Sequence, residues 1–271
     1  MSSTVIKGLK ILELMVNSPE PLSITEVARF SDLSKSNAYR MLRVLQAEGF
    51  LIQNEDSKTF MPSLKIWELG NTVIARRHFV DEAFGVLRWI ADETGEAVHL
   101  ALYDNGQAVT ISQIESRQAV RAYTEVGGRA PAYTVATGKA ILAFKPASEI
   151  ESICRRLHQV TQHTITQPQL LRDQLRDIRQ SRIAYNDEEW QIGVRGLAAP
   201  VLDRNNIAVL AIGLCGPASR VTPSLDSVYT SLLRQGAESL TGQLCLSSKR
   251  HSEGPATMAG AHSDVNLLNK A

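Results

Sequence analysis

The stretch SITEVARFSDLSKSNAYRMLRVLQ, residues 23–46, decides the fold of the N-terminal part of the chain. Ser23 followed three residues later by Glu26 is a capping-box pattern, in which each residue's side chain satisfies the other's backbone amide at a helix start. The pattern predicts a short helix that begins after Ser23. A three-residue turn then leads to a second helix, and the small Ala28 lies where the two helices cross. This order predicts a helix-turn-helix over about residues 24–43.

The second helix, residues 35–48, has one apolar face and one polar face that carries no acid. A recognition helix needs such a face, because its side chains read base edges while neighbouring cations hold phosphates. The helix is therefore predicted to enter the major groove of double-stranded DNA. The predicted DNA-binding residues include a basic residue of the following hairpin and are Ser34, Lys35, Ser36, Asn37, Tyr39, Arg40, Arg43 and Lys58.

Gly49 is placed to end this helix, and residues 50–53 and 59–61 then favour two short strands. The resulting hairpin completes a winged helix-turn-helix over residues 4–66, with Lys58 at the tip of the wing. Residues 1–70 contain eight basic and eight acidic side chains. A neutral module leaves open the alternative that it binds another protein, and it makes DNA binding depend on where the charges lie.

Helical spacing of apolar residues predicts a first helix with one buried stripe, ended by the prolines at 19 and 21. Residues 63–79 are apolar on more than one face, which predicts a connecting helix, and we assign residues 67–80 as the linker. A helix of this kind packs against another domain or another subunit. Trp67 and Arg76 lie on it.

Residues 81–246 are predicted to form an α+β domain with a central antiparallel sheet. Helices are expected at 81–94, 134–144, 147–157, 168–182 and 224–246, and strands at 96–103, 107–114, 119–124, 196–202 and 207–214. The tail, residues 247–271, has no periodicity and is predicted to be disordered.

The bulk properties agree with two domains. The chain has 271 residues, a net charge of +1 and three cysteines, which stand far apart and form no pair with metal-ligand spacing. No metal, cofactor or disulfide is expected. No targeting segment or membrane span is recognised, so a cytoplasmic location without a membrane partner is expected.

The ordered motifs of the chain resemble the IclR family of bacterial regulators. They stand at residues 8–13 (GLKILE), 22–29 (LSITEVAR), 33–40 (LSKSNAYR), 45–50 (LQAEGF), 137–143 (TGKAILA) and 193–201 (GVRGLAAPV). The resemblance implies a GAF-like effector-binding domain after the winged helix. It also implies homodimers or homotetramers on a pseudo-palindromic operator, with a small organic molecule that sets DNA affinity, and repression or activation of catabolic genes.

The resemblance also places the effector site, at Ala136, Thr137, Gly138, Asn186, Gly196, Gly213 and Cys215. Family members that bind very small keto acids carry Asp, Cys and two Ser where this chain has Asn186, Gly196, Gly213 and Cys215. The glycines indicate a larger, less polar effector such as an aromatic carboxylate. Backbone amides before Lys139 offer an anion site.

Structural roles remain open for each of these positions. The two glycines could allow close strand packing, and Cys215 could be an inert buried thiol. Asn186 could cap the turn before the acidic residues 187–189, and Lys139 could serve the fold.

An enzyme that uses His99, residues 187–189 and Cys215 is the third alternative. It lacks any nucleophile-elbow, P-loop or zinc motif, and an acidic run is usually a solvated face. We therefore predict a ligand-responsive DNA-binding regulator and no enzyme.

Overall fold

The computed structural model describes residues 3–75 and 79–252. The chain divides into two compact units, Met1–Arg77 and His78–Ala271.

The N-terminal unit is a winged helix-turn-helix. Its elements are α1 (Ser3–Asn17), α2 (Ile24–Phe30), α3 (Lys35–Ala47), β1 (Leu51–Gln53), β2 (Phe60–Pro62) and α4 (Leu64–Ala75). A small core joins α1, α2, α3 and the wing, and its fully buried residues include Ile11, Met15, Val27, Ala38, Leu42 and Phe60.

The predicted capping box at the start of α2 is confirmed. The backbone amide of Glu26 donates to the Ser23 hydroxyl oxygen at 3.3 Å, and the amide of Ser23 donates to Oε2 of Glu26 at 2.8 Å. The hydrogen bond from the Ser23 amide is also the main reason that the pKa of Glu26 lies below its usual value. Both bonds satisfy amides that lack partners within the helix.

Gly49 ends α3 as the sequence predicts. Its φ is 76°, its amide bonds to the Gln46 carbonyl, and the amide of Phe50 bonds to the Leu45 carbonyl at 2.8 Å. These two bonds form the Schellman motif that glycine in the left-handed region allows. The chain then enters the antiparallel β1–β2 wing, and Leu22 pairs with Phe60 beside it.

The prediction that α1 buries one whole apolar stripe is wrong. Ile11 and Met15 are buried, but the apolar side chains of Val5, Leu9 and Val16 are exposed. The α1 residues that reach the core, Ile11, Leu12, Leu14 and Met15, all lie in the C-terminal half of the helix, and Val16 there faces away from it. Four of its apolar residues therefore remain unpartnered within this unit, the fourth being Ile6.

The predicted connecting helix is present as α4, which the structure describes from Leu64 to Ala75. The next helix begins at Phe79, and residues 76–78, which include Arg76, lie outside the described part of the chain. Along α4 the apolar side chains of Leu64, Trp67 and Leu69 are exposed.

The C-terminal unit is an α+β domain built on one six-stranded antiparallel sheet, ordered β5-β4-β3-β8-β7-β6. The strands are β3 (Ala97–Asp104), β4 (Gln107–Ile114), β5 (Arg129–Pro131), β6 (Ala184–Asp187), β7 (Val194–Leu202) and β8 (Ala208–Pro217). The helices are α5 (Phe79–Thr94), α6 (Ala136–Leu142), α7 (Ala147–Cys154), α8 (Pro168–Ser181) and α9 (Asp226–Ser252).

Helices cover both faces of this sheet. On one face, α5 and α9 enclose a core with Val98, Leu100 and Ile212. On the other face, α6 and α8 enclose a core with Ile141, Leu171 and Ala198. Alternate residues of each strand therefore serve two different cores.

Two strand predictions are wrong. Residues 119–124 form no strand, and the third strand is β5 at Arg129–Pro131. Val120 and Tyr123 are exposed, so the apolar pattern there does not mark a buried strand. The edge strand β6 was not predicted, because its four residues follow the end of α8 with only Arg182, in the left-handed region at φ 57°, and Ile183 between them.

The boundaries of two helices also differ from prediction. A short 3-10 turn, Ala132–Thr134, precedes α6, which ends at Leu142 where residues 134–144 were expected to be helical. Helix α9 runs to Ser252, so the first residues of the predicted disordered tail are helical. Residues 253–271 lie outside the described structure.

Candidate DNA-binding helix and effector cavity

The polar face of α3 is exposed in the folded unit. Ala38, Met41 and Leu42 are buried against the core, so helical periodicity turns the opposite side chains to the surface. The exposed predicted residues are Ser34, Lys35, Ser36, Asn37, Tyr39, Arg40 and Arg43. Residues 35–47 contain no acidic side chain, so this face carries only basic and uncharged side chains.

Three of the predicted DNA-binding residues already have structural partners, and one of them, Arg43, donates to Oε1 of Gln46 at 3.0 Å. The Ser34 hydroxyl oxygen accepts the Asn37 amide at 3.3 Å and so caps α3. In the wing, Lys58 adopts φ 57° and its ammonium contacts Glu55 at 3.3 Å in an exposed ion pair. Exposed pairs of this kind are worth little, so Lys58 can exchange Glu55 for a phosphate at small cost.

A cavity of about 240 Å³ opens in the C-terminal unit on the face of the sheet that carries α6. Each of the six strands contributes at least one lining residue, and two loops, residues 122–125 and 190–191, complete the rim. Five predicted effector residues line it, namely Ala136, Thr137, Asn186, Gly196 and Cys215. The structure therefore brings together residues from α6, β6, β7 and β8 that are far apart in sequence.

Gly138 and Gly213 do not line this cavity but make its wall possible. A Cβ at Gly138 would collide with the carbonyl of Ala132, and a Cβ at Gly213 would lie 2.6 Å from Cγ2 of Thr137. The methyl of Thr137 thus fills the space above Gly213. Of the two glycines expected to enlarge the site, Gly196 borders the cavity and Gly213 serves packing.

A buried ion pair holds the loop at one side of the rim. Nζ of Lys139 lies 2.6 Å from Oε1 of Glu189, and both side chains are almost fully buried. Burial raises the pKa of Glu189 and lowers that of Lys139, and each charge opposes the other's shift. Lys139 serves the fold, and the expectation that all of residues 187–189 form a solvated face is wrong for Glu189.

Asn186 caps the same loop, which confirms the structural role that the sequence left open for it. Its Oδ1 accepts the amide of Glu189 at 2.9 Å. The side chain therefore fixes the loop that carries Trp190 and Gln191 to the cavity.

The loop on the other side of the rim, residues 115–128, is held by a second charged group. The Arg220 guanidinium forms an ion pair with the buried carboxylate of Glu96 and donates to the Val120 carbonyl at 3.0 Å. Farther along the loop, the Thr124 hydroxyl donates to Gln113. The loop is therefore anchored at both ends of the segment that lines the cavity.

Sequence reasoning missed several lining residues, namely His99, Thr110, Tyr123, Thr124, Arg129 and Trp190. His99 is the most informative. Its Nδ1 is buried and has no hydrogen-bond partner among the residues that the structure describes, and burial lowers the pKa of the ring to about 4. The alternation of residues 96–103 could have placed His99 on the same face as Ala101, but only the fold shows that a cavity lies there.

The thiol of Cys215 is protonated in the cavity wall. Burial, with a smaller effect of the Glu96 carboxylate, raises its pKa to about 12. A thiol of this kind is a poor nucleophile, which agrees with the structural interpretation of this cysteine.

Two family models together span most of the chain. The model "Bacterial transcriptional regulator IclR C-terminal" matches residues 71–241, and the model "IclR helix-turn-helix domain" matches residues 4–55. The chain belongs to the IclR family. It is a DNA-binding transcriptional regulator with a C-terminal effector domain, as the sequence predicts.

Curated and solved relatives agree with this assignment. The regulator KdgR of Escherichia coli is 28% identical over 244 residues, which cover 89% of this chain and 92% of KdgR. The acetate operon repressor of Salmonella typhimurium is 27% identical, and 88% of each chain is covered. The crystal structure of IclR from Thermotoga maritima superposes with a TM-score of 0.75 at 32% identity, covering 90% of this chain and 99% of that one.

These IclR-family relatives are transcriptional regulators, not enzymes, which supports a non-enzymatic role at family level. Within residues 3–75 and 79–252, no helix is long and apolar enough to cross a membrane. The same residues contain no group of three or more His, Cys, Asp or Glu side chains that could hold a metal ion.

The close contact above Gly213 gives a test of the cavity wall. Gly213→Ala is expected to lower the free energy of unfolding of the C-terminal unit by about 1–3 kcal/mol, because the added methyl overlaps Thr137. Combining it with Thr137→Ser, which removes the overlapping methyl, is expected to recover part of the loss. Urea unfolding of the full chain measures both.

Gly242→Ala is the matched control. Gly242 lies in α9 with open space around the position of a Cβ, so alanine there is expected to stabilise the helix by up to about 1 kcal/mol. Equal effects of the two substitutions would contradict the packing role of Gly213.

Proposed function

We propose that a small organic acid binds in the cavity of the C-terminal unit and sets the affinity of the protein for its operator. The observation that carries this proposal is the cavity itself, formed by all six strands, α6 and two anchored loops. A concave site lined by apolar residues with a few convergent polar groups is typical of ligand binding. Its volume of about 240 Å³ lies just below the usual range for drug-sized ligands, which favours a small effector.

The lining favours an aromatic carboxylate over a small keto acid. Apolar side chains from several strands form one wall, including Ala108, Ala130 and Val194, and Tyr123 and Trp190 lie at the rim. Such a surface suits a flat ring, because aromatic groups pack edge to face or offset against one another. Polar groups of Thr137 and Asn186 line the same cavity and are available to the acidic end.

The acid class can be tested by calorimetric titration of the full chain. Benzoate and 4-hydroxybenzoate are expected to bind at least about tenfold more tightly than glyoxylate or pyruvate, because only the larger acids fill the apolar wall. One solved IclR homologue, from Microbacterium hydrocarbonoxydans, is complexed with 4-hydroxybenzoate, but at 19% identity it shows only the shared fold. Tight binding of the keto acids without binding of the aromatic acids would contradict the proposed class.

Effector binding changes operator affinity through linkage. An acid that binds one arrangement of the protein more tightly than another shifts the population toward it, and DNA affinity changes by the same coupling free energy. By family analogy the regulated genes belong to a catabolic operon, and a regulator of chromosomal DNA acts in the cytoplasm.

The exposed face of α3 is proposed to read the operator. Exchanging Arg40 for Glu is expected to weaken binding to the DNA upstream of the protein's own gene by at least about tenfold, because it places an acid on a face that has none. Gel shifts at several salt concentrations measure this loss, and circular dichroism checks the fold.

Arg176→Glu makes the same change in net charge on an exposed residue of α8 in the other unit. It is expected to leave operator binding unchanged. If Arg40→Glu retains the affinity and salt dependence of the parent protein, the winged helix is better explained as a protein-binding module.

The exposed apolar side chains of α1 and α4 are proposed to pair two copies of the chain. Trp67 is 66% exposed and Val5 is 60% exposed, although both side chains are apolar. Large exposed apolar surface of this kind marks an interface. Pairing also places two neutral recognition units on one operator, which compensates for the modest charge of each.

Trp67→Glu is expected to shift the protein toward monomer in analytical ultracentrifugation and to weaken operator binding in parallel. Ile207→Glu, at an exposed apolar residue beside the turn between β7 and β8, is the control and is expected to leave the mass unchanged. A monomeric parent protein at micromolar concentration would contradict the proposal.

A further inference from the structure

An acidic ligand in the cavity meets no uncommitted cation. Among the described lining residues, Arg129 is the one basic side chain and Glu125 the one acidic side chain. The Arg129 guanidinium lies 2.8 Å from Asp104 and 3.1 Å from Oε1 of Gln107. Lys139 is buried behind the wall in its pair with Glu189. A bound carboxylate would therefore pair either with Arg129, by displacing Asp104 from an exposed ion pair, or with another group that gains a charge.

His99 is placed to gain that charge. It stands on the central strand β3 directly opposite Gly213 of β8, and the Thr137 methyl packs over Gly213. His99 and Thr137 both line the cavity, and the acidic end of the ligand is proposed to sit at Thr137. His99 is only partly buried and lines the cavity, so a ligand there can reach it, while its enclosed Nδ1 has no partner within the described structure.

We infer that His99 binds the acidic group of the effector and takes up one proton from solvent as it does so. This inference rests on the proposed organic-acid function and adds how that site neutralises its ligand. The imidazole of the empty cavity is neutral. In the complex, imidazolium and carboxylate form an ion pair as the pH falls through the pKa of the bound ring, and no proton is taken from the ligand.

The energetics favour this exchange. Burial alone holds the pKa of His99 at about 4 in the free protein, so the ring is uncharged near neutral pH. A carboxylate within about 4–6 Å favours the charged form and raises such a pKa by about 1–3 units. Protonation that is stronger in the complex than in the free protein makes binding tighter as the pH falls. The affinity changes with pH mainly in the range between the pKa of His99 in the free protein and its pKa in the complex.

Other titratable groups face the same site and must be separated from His99. Within the cavity these are Glu125, Tyr123 and Cys215, with Arg129 at the edge. From the packed elements, α6 contributes Lys139 and the loops contribute Glu189 and the Glu96–Arg220 pair. Glu125 is the main competitor, because a carboxylate close to an incoming anion also gains a proton.

Calorimetric titration in buffers of different ionisation enthalpy measures the number of protons that the protein takes up when the ligand binds. The probes are benzoate, 4-hydroxybenzoate, glyoxylate and pyruvate, added to the full chain at about pH 5.5. A bound pKa raised by 1–3 units predicts uptake of roughly 0.2–1 proton per site and affinity up to about fifteenfold higher than at pH 7.

Three variants assign the proton. His99→Gln keeps a polar side chain that cannot become charged, so it is expected to abolish uptake and to weaken binding. Glu125→Gln is expected to retain uptake. His163→Gln, at an exposed histidine that does not line the cavity, is the matched control and is also expected to retain it.

The outcomes separate the two proposals. Binding without proton uptake, or uptake that survives His99→Gln and is lost in Glu125→Gln, overturns the role of His99 and leaves the organic-acid function standing. Failure of all four acids to bind overturns the organic-acid function and this inference with it. If His99→Gln does not fold, the imidazole nitrogen shifts of the parent protein decide, since they must move to the charged form on saturation with the acid.

Discussion

The close approach of α6 to the sheet is the constraint on which the C-terminal unit depends. Gly213 of β8 faces the Thr137 methyl of α6 at a distance that leaves no room for a side chain, and Gly138 lets α6 pack equally closely on the carbonyl of Ala132 in the preceding 3-10 turn. Contact at this range lets a seven-residue helix form one wall of the cavity while all six strands form the floor. A helix held farther from the sheet would leave the same residues around an open groove.

Two charged groups then hold the rim of that cavity. Lys139–Glu189 anchors one loop, and Glu96–Arg220 anchors the other through the Val120 carbonyl. Removing water from such groups is costly, and the cost is offset only when each charge has a close partner. Losing one partner would therefore release the adjacent loop as well as leave a buried charge. Both pairs hold residues that line the cavity without lining it themselves.

The N-terminal unit works on a different principle. Its core is small, and its polar face is set by helix geometry, because the buried Ala38, Met41 and Leu42 fix which side of α3 faces outward. Little charge is available, so placement decides DNA binding. Apolar side chains of α1 and α4 are left exposed in this unit, Val5 and Trp67 among them.

The sequence alone determined the elements whose signals are local. Capping at Ser23, the Gly49 helix end and the alternation of residues 97–104 and 107–114 each arise from neighbours a few residues apart, so α2, α3, β3 and β4 were predicted. Only the tertiary structure decided what depends on distant contacts. The short edge strands β5 and β6 exist through pairing, and Glu189 is buried because Lys139, 50 residues away, meets it. His99 faces a cavity for the same reason, since a strand pattern gives a residue's face and only packing determines what covers it.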